Sequence, residues 1–333
     1  MCFSSIWRWT PSTESSNAVP FCALPWRVFL VASGPVRATF INYPMFTLKT
    51  RTICALAFAA AQAFLCVGAQ AQAPAPAADQ SASAVPAAPE HAITGNVGLV
   101  SDYRFRGISQ TWRLPAVQGG LDYVHRSGLY LGTWASNVSG NSYNNGSALE
   151  WDLYGGVKLE VAPGVVLDLG ALAYIYPGAR MNRALGVAST QKYDNVDLYV
   201  GVSHGPFSAK LSYAVTDYFG LNGGSAGYAY FSSLAPHGGS RGSLYLDLNY
   251  NVDLGQGVTV GLHAGHVAVR NYADLSYSDA KVSVSKEVFG VNLSVAIVGT
   301  NARSAYYQAG NAAGADAKRL GKAALVLGLS KGF

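Results

Sequence analysis

Charge is scarce in this chain. Lys, Arg, Asp and Glu make up only 12% of its 333 residues, against roughly 25% in an ordinary soluble protein. Yet half of the residues are hydrophobic. A water-soluble fold of this size needs a charged exterior, so much of this surface is expected to face something other than water. Cysteine is confined to Cys2, Cys22, Cys54 and Cys66. The remainder of the chain therefore has no disulfide framework, no thiolate metal site and no cysteine nucleophile. From His91 onward there is no apolar run of roughly 18 residues and no sustained helical period, which excludes helical membrane spans there. The net charge is only +5. Its basic residues form no stripe, so nucleic acid is not an expected partner. No phosphate-cradling or dinucleotide motif follows a strand, and no cofactor is expected.

The first 91 residues carry their own signals. Met45 opens the segment MFTLKTRTICALAFAAAQAFLCVGAQAQA. Lys49 and Arg51 supply a positive start, Ile53 to Val67 an apolar stretch, and Ala69-Gln70-Ala71 a small-x-small cleavage site. That is the anatomy of a secretory signal peptide, and the apolar stretch is too short to span a bilayer. The expected organisation is an upstream extension over 1–44 with the true start at Met45, then a signal peptide over 45–71. An Ala/Pro-rich periplasmic tether follows over 72–91, and the folded body occupies 92–333. Cleavage after Ala71 removes five of the 23 basic residues (Arg8, Arg27, Arg37, Lys49, Arg51) and one of the 18 acids (Glu14), leaving a net charge of about +1.

What the body does have is alternation. Leu149, Trp151, Leu153 and Val157 oppose Glu150, Asp152 and Lys158; Leu244, Leu246, Leu248, Tyr250 and Val252 oppose Tyr245, Asp247 and Asn249. Period-two segments predict strands over 94–107, 116–125, 129–138, 148–159, 165–176, 193–203, 207–218, 243–252, 258–269, 279–286, 291–299 and 320–333. In the first, Ile93, Val97, Leu99, Tyr103 and Phe105 share one face, and Thr94, Asn96, Asp102, Arg104 and Arg106 the other. In the third, Leu129 and Leu131 compete with Tyr130 and Trp134 for the outer face. Short turns (Arg126-Ser127-Gly128, Ala162-Pro163-Gly164, His204-Gly205-Pro206, Gly255-Gln256-Gly257, Phe289-Gly290) alternate with long polar links such as 178–191, 220–242 and 301–318. That alternation is the habit of outer-membrane barrels. Lipid leaves no backbone group unpaired, so such a sheet must close. The expected fold is all-β: a closed antiparallel transmembrane β-barrel of about 12 strands. Tyr123, Tyr130, Trp134, Trp151, Tyr176, Tyr213 and Tyr250 are candidates for aromatic girdles at its rims. The last strand runs Leu325, Leu327, Leu329 to Phe333, with Lys331 interrupting. It is similar to the signal read by the barrel-assembly machinery, which makes that machinery and outer-membrane lipid expected partners.

The stretch Gly95 to Thr111 (GNVGLVSDYRFRGISQT) resembles the opening of the TorF-like porins of proteobacteria. Leu129 to Val138 (LYLGTWASNV), Tyr174 to Gly178 (YIYPG) and Lys281 to Gly290 (KVSVSKEVFG) are similar elements further along. The resemblance implies an outer-membrane barrel with passive transport of small polar solutes. It supplies no site residues.

The polar strand face offers candidate pore-lining groups: Asp102, Arg104, Arg106, Asp122, Glu150, Asp152, Lys158, Asp168, Asp197, Lys210, Asp247, His263 and Lys281. Two arrangements remain open. The charges line a narrow water-filled pore, or they pair and plug it, giving a structural or adhesive barrel. Their near balance predicts weak ion selectivity. An enzyme alternative is a lipid hydrolase with Ser and His on the barrel surface. His263 and His266 lie three apart on one strand and so point to opposite faces, which disfavours a shared metal; Ser283, Ser285 and Ser294 are on neighbouring strands. No residue set there fixes a catalytic triad, and a non-enzymatic protein is expected.

Overall fold

The computed structural model describes residues 90–142, 146–180, 191–227, 233–309 and 317–333. The extension, the signal peptide and all but the end of the tether lie outside the described residues.

Twelve strands close on themselves in a single antiparallel barrel. They are β1 (His91–Val100), β4 (Ala116–His125), β5 (Leu129–Asn137), β6 (Leu149–Ala162), β7 (Val165–Ile175) and β8 (Asn195–His204). The others are β9 (Phe207–Ala214), β10 (Leu244–Asp253), β11 (Val258–Ala268), β12 (Tyr277–Val288), β13 (Val291–Thr300) and β16 (Ala324–Gly332). Two short hairpins sit within loops: β2 (Arg104–Phe105) with β3 (Ile108–Ser109), and β14 (Gln308–Ala309) with β15 (Lys318–Arg319). Each barrel strand pairs with its sequence neighbour, and β1 seals the seam against β16. The backbone of Phe333 finishes that seam by exchanging two hydrogen bonds with Gly95, at 2.8 and 2.9 Å. Every edge is thereby used, as a lipid environment requires.

Alternation decides what faces out. Val282, Val284, Leu293, Val295, Ile297, Leu325 and Leu327 are all exposed on the outer wall, and their inward neighbours are Ser283, Ser294, Ala296 and Gly328. In β5 the outer face goes to Leu129 and Leu131, which turns Tyr130 and Trp134 inward. Of the proposed girdle, Trp151 and Tyr213 are exposed on the outside, and Tyr123 and Tyr250 share the outward parity of Leu121 and Leu248. Tyr130, Trp134 and Tyr176 are corrected: all three face the interior, because strand parity and not nearness to a strand end sets direction.

A test of the lipid-facing wall follows. Val282→Arg, near the middle of β12, is expected to destabilise the barrel by about 2–4 kcal/mol, and the adjacent inward Ser283→Ala by no more than about 0.5 kcal/mol. Urea titration of the protein folded in lipid vesicles measures both. Equal losses at the two positions would contradict the assigned faces.

The first strand departs most from expectation. It ends at Val100 rather than running to residue 107. The next residues leave the wall and turn into the lumen as the β2–β3 hairpin. Arg106 (φ 47°) and Gly107 (φ 77°) form its two-residue turn. Two successive positive φ values are the hairpin geometry that matches strand twist. Gly107 is also required by space, since a Cβ there would strike Thr300 and Asp279.

Candidate functional site

The inside of the barrel is built in two layers, one polar and one aromatic. The polar layer forms a belt around the wall. Tyr130, Tyr154 and Tyr199 lie flat across inward glycines of the adjacent strands: the register sets Tyr154 beside Gly132, and Tyr199 beside Gly170. A Cβ at either glycine would collide with the ring. This is one reason why Gly and Tyr are both abundant in the chain. The phenols donate to carboxylates, Tyr154 to Asp122 at 2.6 Å and Tyr130 to Asp168 at 2.7 Å, and Tyr130 also bonds Tyr199. Lys158 sits 5.3 Å from the Tyr130 ring and Lys210 5.3 Å from the Tyr199 ring, distances at which a cation is attracted to the ring face. On the opposite wall His263 lies between carboxylates, 2.7 Å from Asp279 and 3.2 Å from Asp247. Lys281 is its direct cross-strand neighbour.

Above the belt, towards the long-loop end, the hairpin lies in the lumen. Arg104 bonds Asp102 at 2.7 Å and also donates to the carbonyls of Gly107, Leu320 and Lys322. Ser109 donates to the second oxygen of Asp102 at 2.6 Å. At the tip, Arg106 reaches across to Asp197 on β8 at 2.8 Å. Its guanidinium also stacks over Tyr245 at 4.3 Å and Phe105 at 4.7 Å. Asn195 holds the other oxygen of Asp197 at 2.7 Å. Tyr103 donates to Glu150 at 2.9 Å. Burial, with the Glu150 carboxylate next in effect, pushes the Tyr103 phenol well above its ordinary range, so it stays a donor. Tyr218, which meets Arg106 at 3.2 Å, is likewise pushed up by burial, against the opposing pull of Arg106.

The aromatic layer caps this network. Ile108 is fully buried, and Phe219, Tyr174, Tyr176, Tyr193, Leu221 and Leu320 pack in the same cluster. Phe105 meets Tyr174 and Phe219 edge-on, at 5.2 and 5.7 Å between ring centres. Such pairs add roughly 0.5–1.5 kcal/mol each beyond area burial. Residues 218–221 of the loop between β9 and β10 supply Phe219 and Leu221. The cavity left among the rings has a volume of about 30 Å³, room for roughly one or two waters.

All thirteen predicted lining residues lie on the interior side, but not as one ring. Asp122, Lys158, Asp168, Lys210, Asp247, His263 and Lys281 are in the belt. Glu150, Asp152 and Asp197 are buried on the wall behind the hairpin. Asp102, Arg104 and Arg106 belong to the hairpin and its approach rather than to a strand face, and both arginines are committed to buried ion pairs. Asp279, Tyr103, Tyr130 and Tyr199 are interior polar residues that sequence reading missed. Asp279 could have been found, since it shares the parity of Lys281. On the outer face His266 meets Ser278 at 2.9 Å. Ser283 and Ser294 have inward parity, away from His266.

The family described as "Bacterial protein of unknown function (Gcw_chp)" matches residues 83–333. The chain belongs to the Gcw_chp family. The match therefore spans the whole barrel, so the hairpin and the belt both lie within the Gcw_chp region. No curated protein matches the sequence. Among solved structures, the KdgM porin is similar over 72% of this chain and 98% of its own, at 9% identity and a TM-score of 0.40. The NanC porin covers the same shares at 8% identity and a TM-score of 0.40. Omp33 of Acinetobacter baumannii is similar over 72% of this chain and 96% of its own, at 10% identity and a TM-score of 0.36.

Proposed function

We propose that the chain is an outer-membrane channel for passive diffusion of small polar solutes, related to the TorF-like porins and narrowed from above by the β2–β3 hairpin. The observation that carries this reading is the contrast between the two faces of the closed wall. Outside it is apolar and exposed; inside, below the hairpin, it is lined by Ser, Asn, Gly, Tyr and opposed charges that run from the buried Asp247 through the half-buried Asp122, Asp168, Lys210 and Lys281 to the exposed Lys158. A barrel filled for strength alone has no need of lysines and carboxylates spread around its inner wall. Twelve strands lie between the roughly eight whose interior side chains fill and the roughly 16 that leave an open channel. A loop laid into the lumen then decides how much of the section stays open.

Export is assigned to the segment 45–71, and assembly to the terminal strand, whose Leu325, Leu327 and Leu329 face outward ahead of Phe333. The short-turn end, which carries both barrel termini, is assigned to the periplasm. The packing of Ile108 and Arg106 favours a second reading, a structural barrel plugged by the same hairpin.

Planar-bilayer recording of the refolded protein tests the channel. Small, weakly ion-selective conductance steps are expected. Lys210→Glu is expected to move the reversal potential towards cation preference, since two charge units change in the belt. An unmoved potential removes Lys210 from the conducting path. Silence in both the native protein and a variant lacking the hairpin rejects the channel.

A further inference from the structure

At the short-turn rim, on the far side of the barrel from the hairpin, three metal-binding side chains converge. We propose that Glu90, His91 and His125 form a divalent transition-metal site with zinc(II) as the ion it fits. The site is independent of the lumen and of the transport reading.

The register places it. His91 opens β1 and stands directly opposite His125, the last residue of β4. Directly opposed residues on antiparallel strands project to the same side. The two imidazole centres are 5.1 Å apart. Glu90 continues the ladder one step, its carbonyl accepting from the Arg126 backbone N–H at 3.0 Å. One ligand atom from each of the three residues lies within 4.8 Å of the other two. The His125 Nε2 is already 3.8 Å from the Glu90 carboxylate. Ligands 2.0–2.1 Å from a tetrahedral ion stand roughly 3.3–3.5 Å apart. Reaching that spacing asks the ligand atoms to close by no more than about 1.5 Å. Two imidazoles and a carboxylate, with one position left to water, are a donor set that suits zinc(II).

The outer partners support the same use. The His91 Nδ1 meets the Tyr123 hydroxyl at 2.8 Å, and the His125 Nδ1 meets the Ser127 hydroxyl at 2.7 Å. Each ring is therefore held at Nδ1; the Ser127 backbone N–H also points to the His125 Nδ1 at 3.2 Å, so coordination through Nε2 requires that bond to yield and the Nδ1 proton to go to the Ser127 hydroxyl. Such bonds fix ring orientation at metal sites. Among the described residues no other group of three His, Cys, Asp or Glu converges in this way. His91 and His125 are 34 positions apart in the chain, which is why reading the sequence suggested no metal.

The test uses the full chain purified without a polyhistidine tag and refolded in detergent, titrated with zinc chloride against a chromophoric chelator. One ion per chain is expected. His91→Ala and His125→Ala should each weaken binding by at least about tenfold, because even outer partners of metal ligands carry that much. His263→Ala and His266→Ala should leave it unchanged. All four variants should keep the resistance of the folded barrel to detergent unfolding without heat. Copper(II) as a second probe should show hyperfine coupling to two imidazole nitrogens, lost in either rim variant. Absence of stoichiometric zinc binding in the native chain, or binding indifferent to His91→Ala and His125→Ala in folded protein, overturns the proposal.

Discussion

Replacing Tyr103–Gln110 by a short Gly-Ser link is expected to raise single-channel conductance several-fold while leaving the barrel folded. The twelve-strand ladder does not include β2 or β3, so no wall hydrogen bond is lost. What is lost is the object in the lumen: Ile108, the Arg104 cluster on Asp102, and the Arg106 bridge to Asp197. The aromatic layer would lose Phe105, which packs against Tyr174 and Phe219, while Phe219 keeps its contacts with Tyr174, Tyr176 and Tyr193. Planar-bilayer recording of native and shortened proteins, with folding checked by circular dichroism, makes the comparison. A several-fold rise identifies the hairpin as the constriction. Equal conductance would mean that solutes pass elsewhere or that the lumen is blocked below it.

Arg106→Ala is expected to have the largest effect of any single substitution. Arg106 and Asp197 are both nearly inaccessible, with side chains 5% and 2% exposed. Removing the cation leaves the Asp197 carboxylate buried, with the Asn195 amide still donating to it. Breaking a buried pair by one partner typically destabilises by about 3–5 kcal/mol. Replacing both by apolar residues of similar volume, Arg106→Met with Asp197→Leu, should recover most of that loss, since no buried charge is then unpaired. Urea titration in lipid vesicles of the native protein, Arg106→Ala, the single variants Arg106→Met and Asp197→Leu, and their double variant measures both the loss and the coupling. A loss below about 1 kcal/mol for Arg106→Ala would show that the hairpin tip is not anchored as described. Because the tip lies in the lumen, the single variant should also show noisier current than the double one.

Most of the wall was legible beforehand. Eleven of the predicted strands, from 116–125 to 320–333, match observed ones within a few residues, because the inner and outer environments differ at every second position along a strand. The outward leucines of β10 and the inward Glu150 and Asp152 of β6 follow directly from that period. The first strand failed for an identifiable reason. Asp102, Arg104 and Arg106 alternate with Tyr103 and Phe105 as a wall strand would. Alternation survives in a hairpin, so period alone could not detect the turn. Arg106-Gly107 was the available signal, a two-residue turn with glycine at a positive-φ position.

The sequence by itself determined that this is a barrel. Low charge, strict period two, short turns against long links and an apolar terminal strand are local properties, and closure follows because lipid tolerates no unpaired backbone. Only the tertiary structure decided what the barrel encloses. Arg106 meets Asp197 across 91 residues of chain, and His91 meets His125 across a strand pair. Neither contact has a sequence period, because each depends on where a loop turns and which strands share a register.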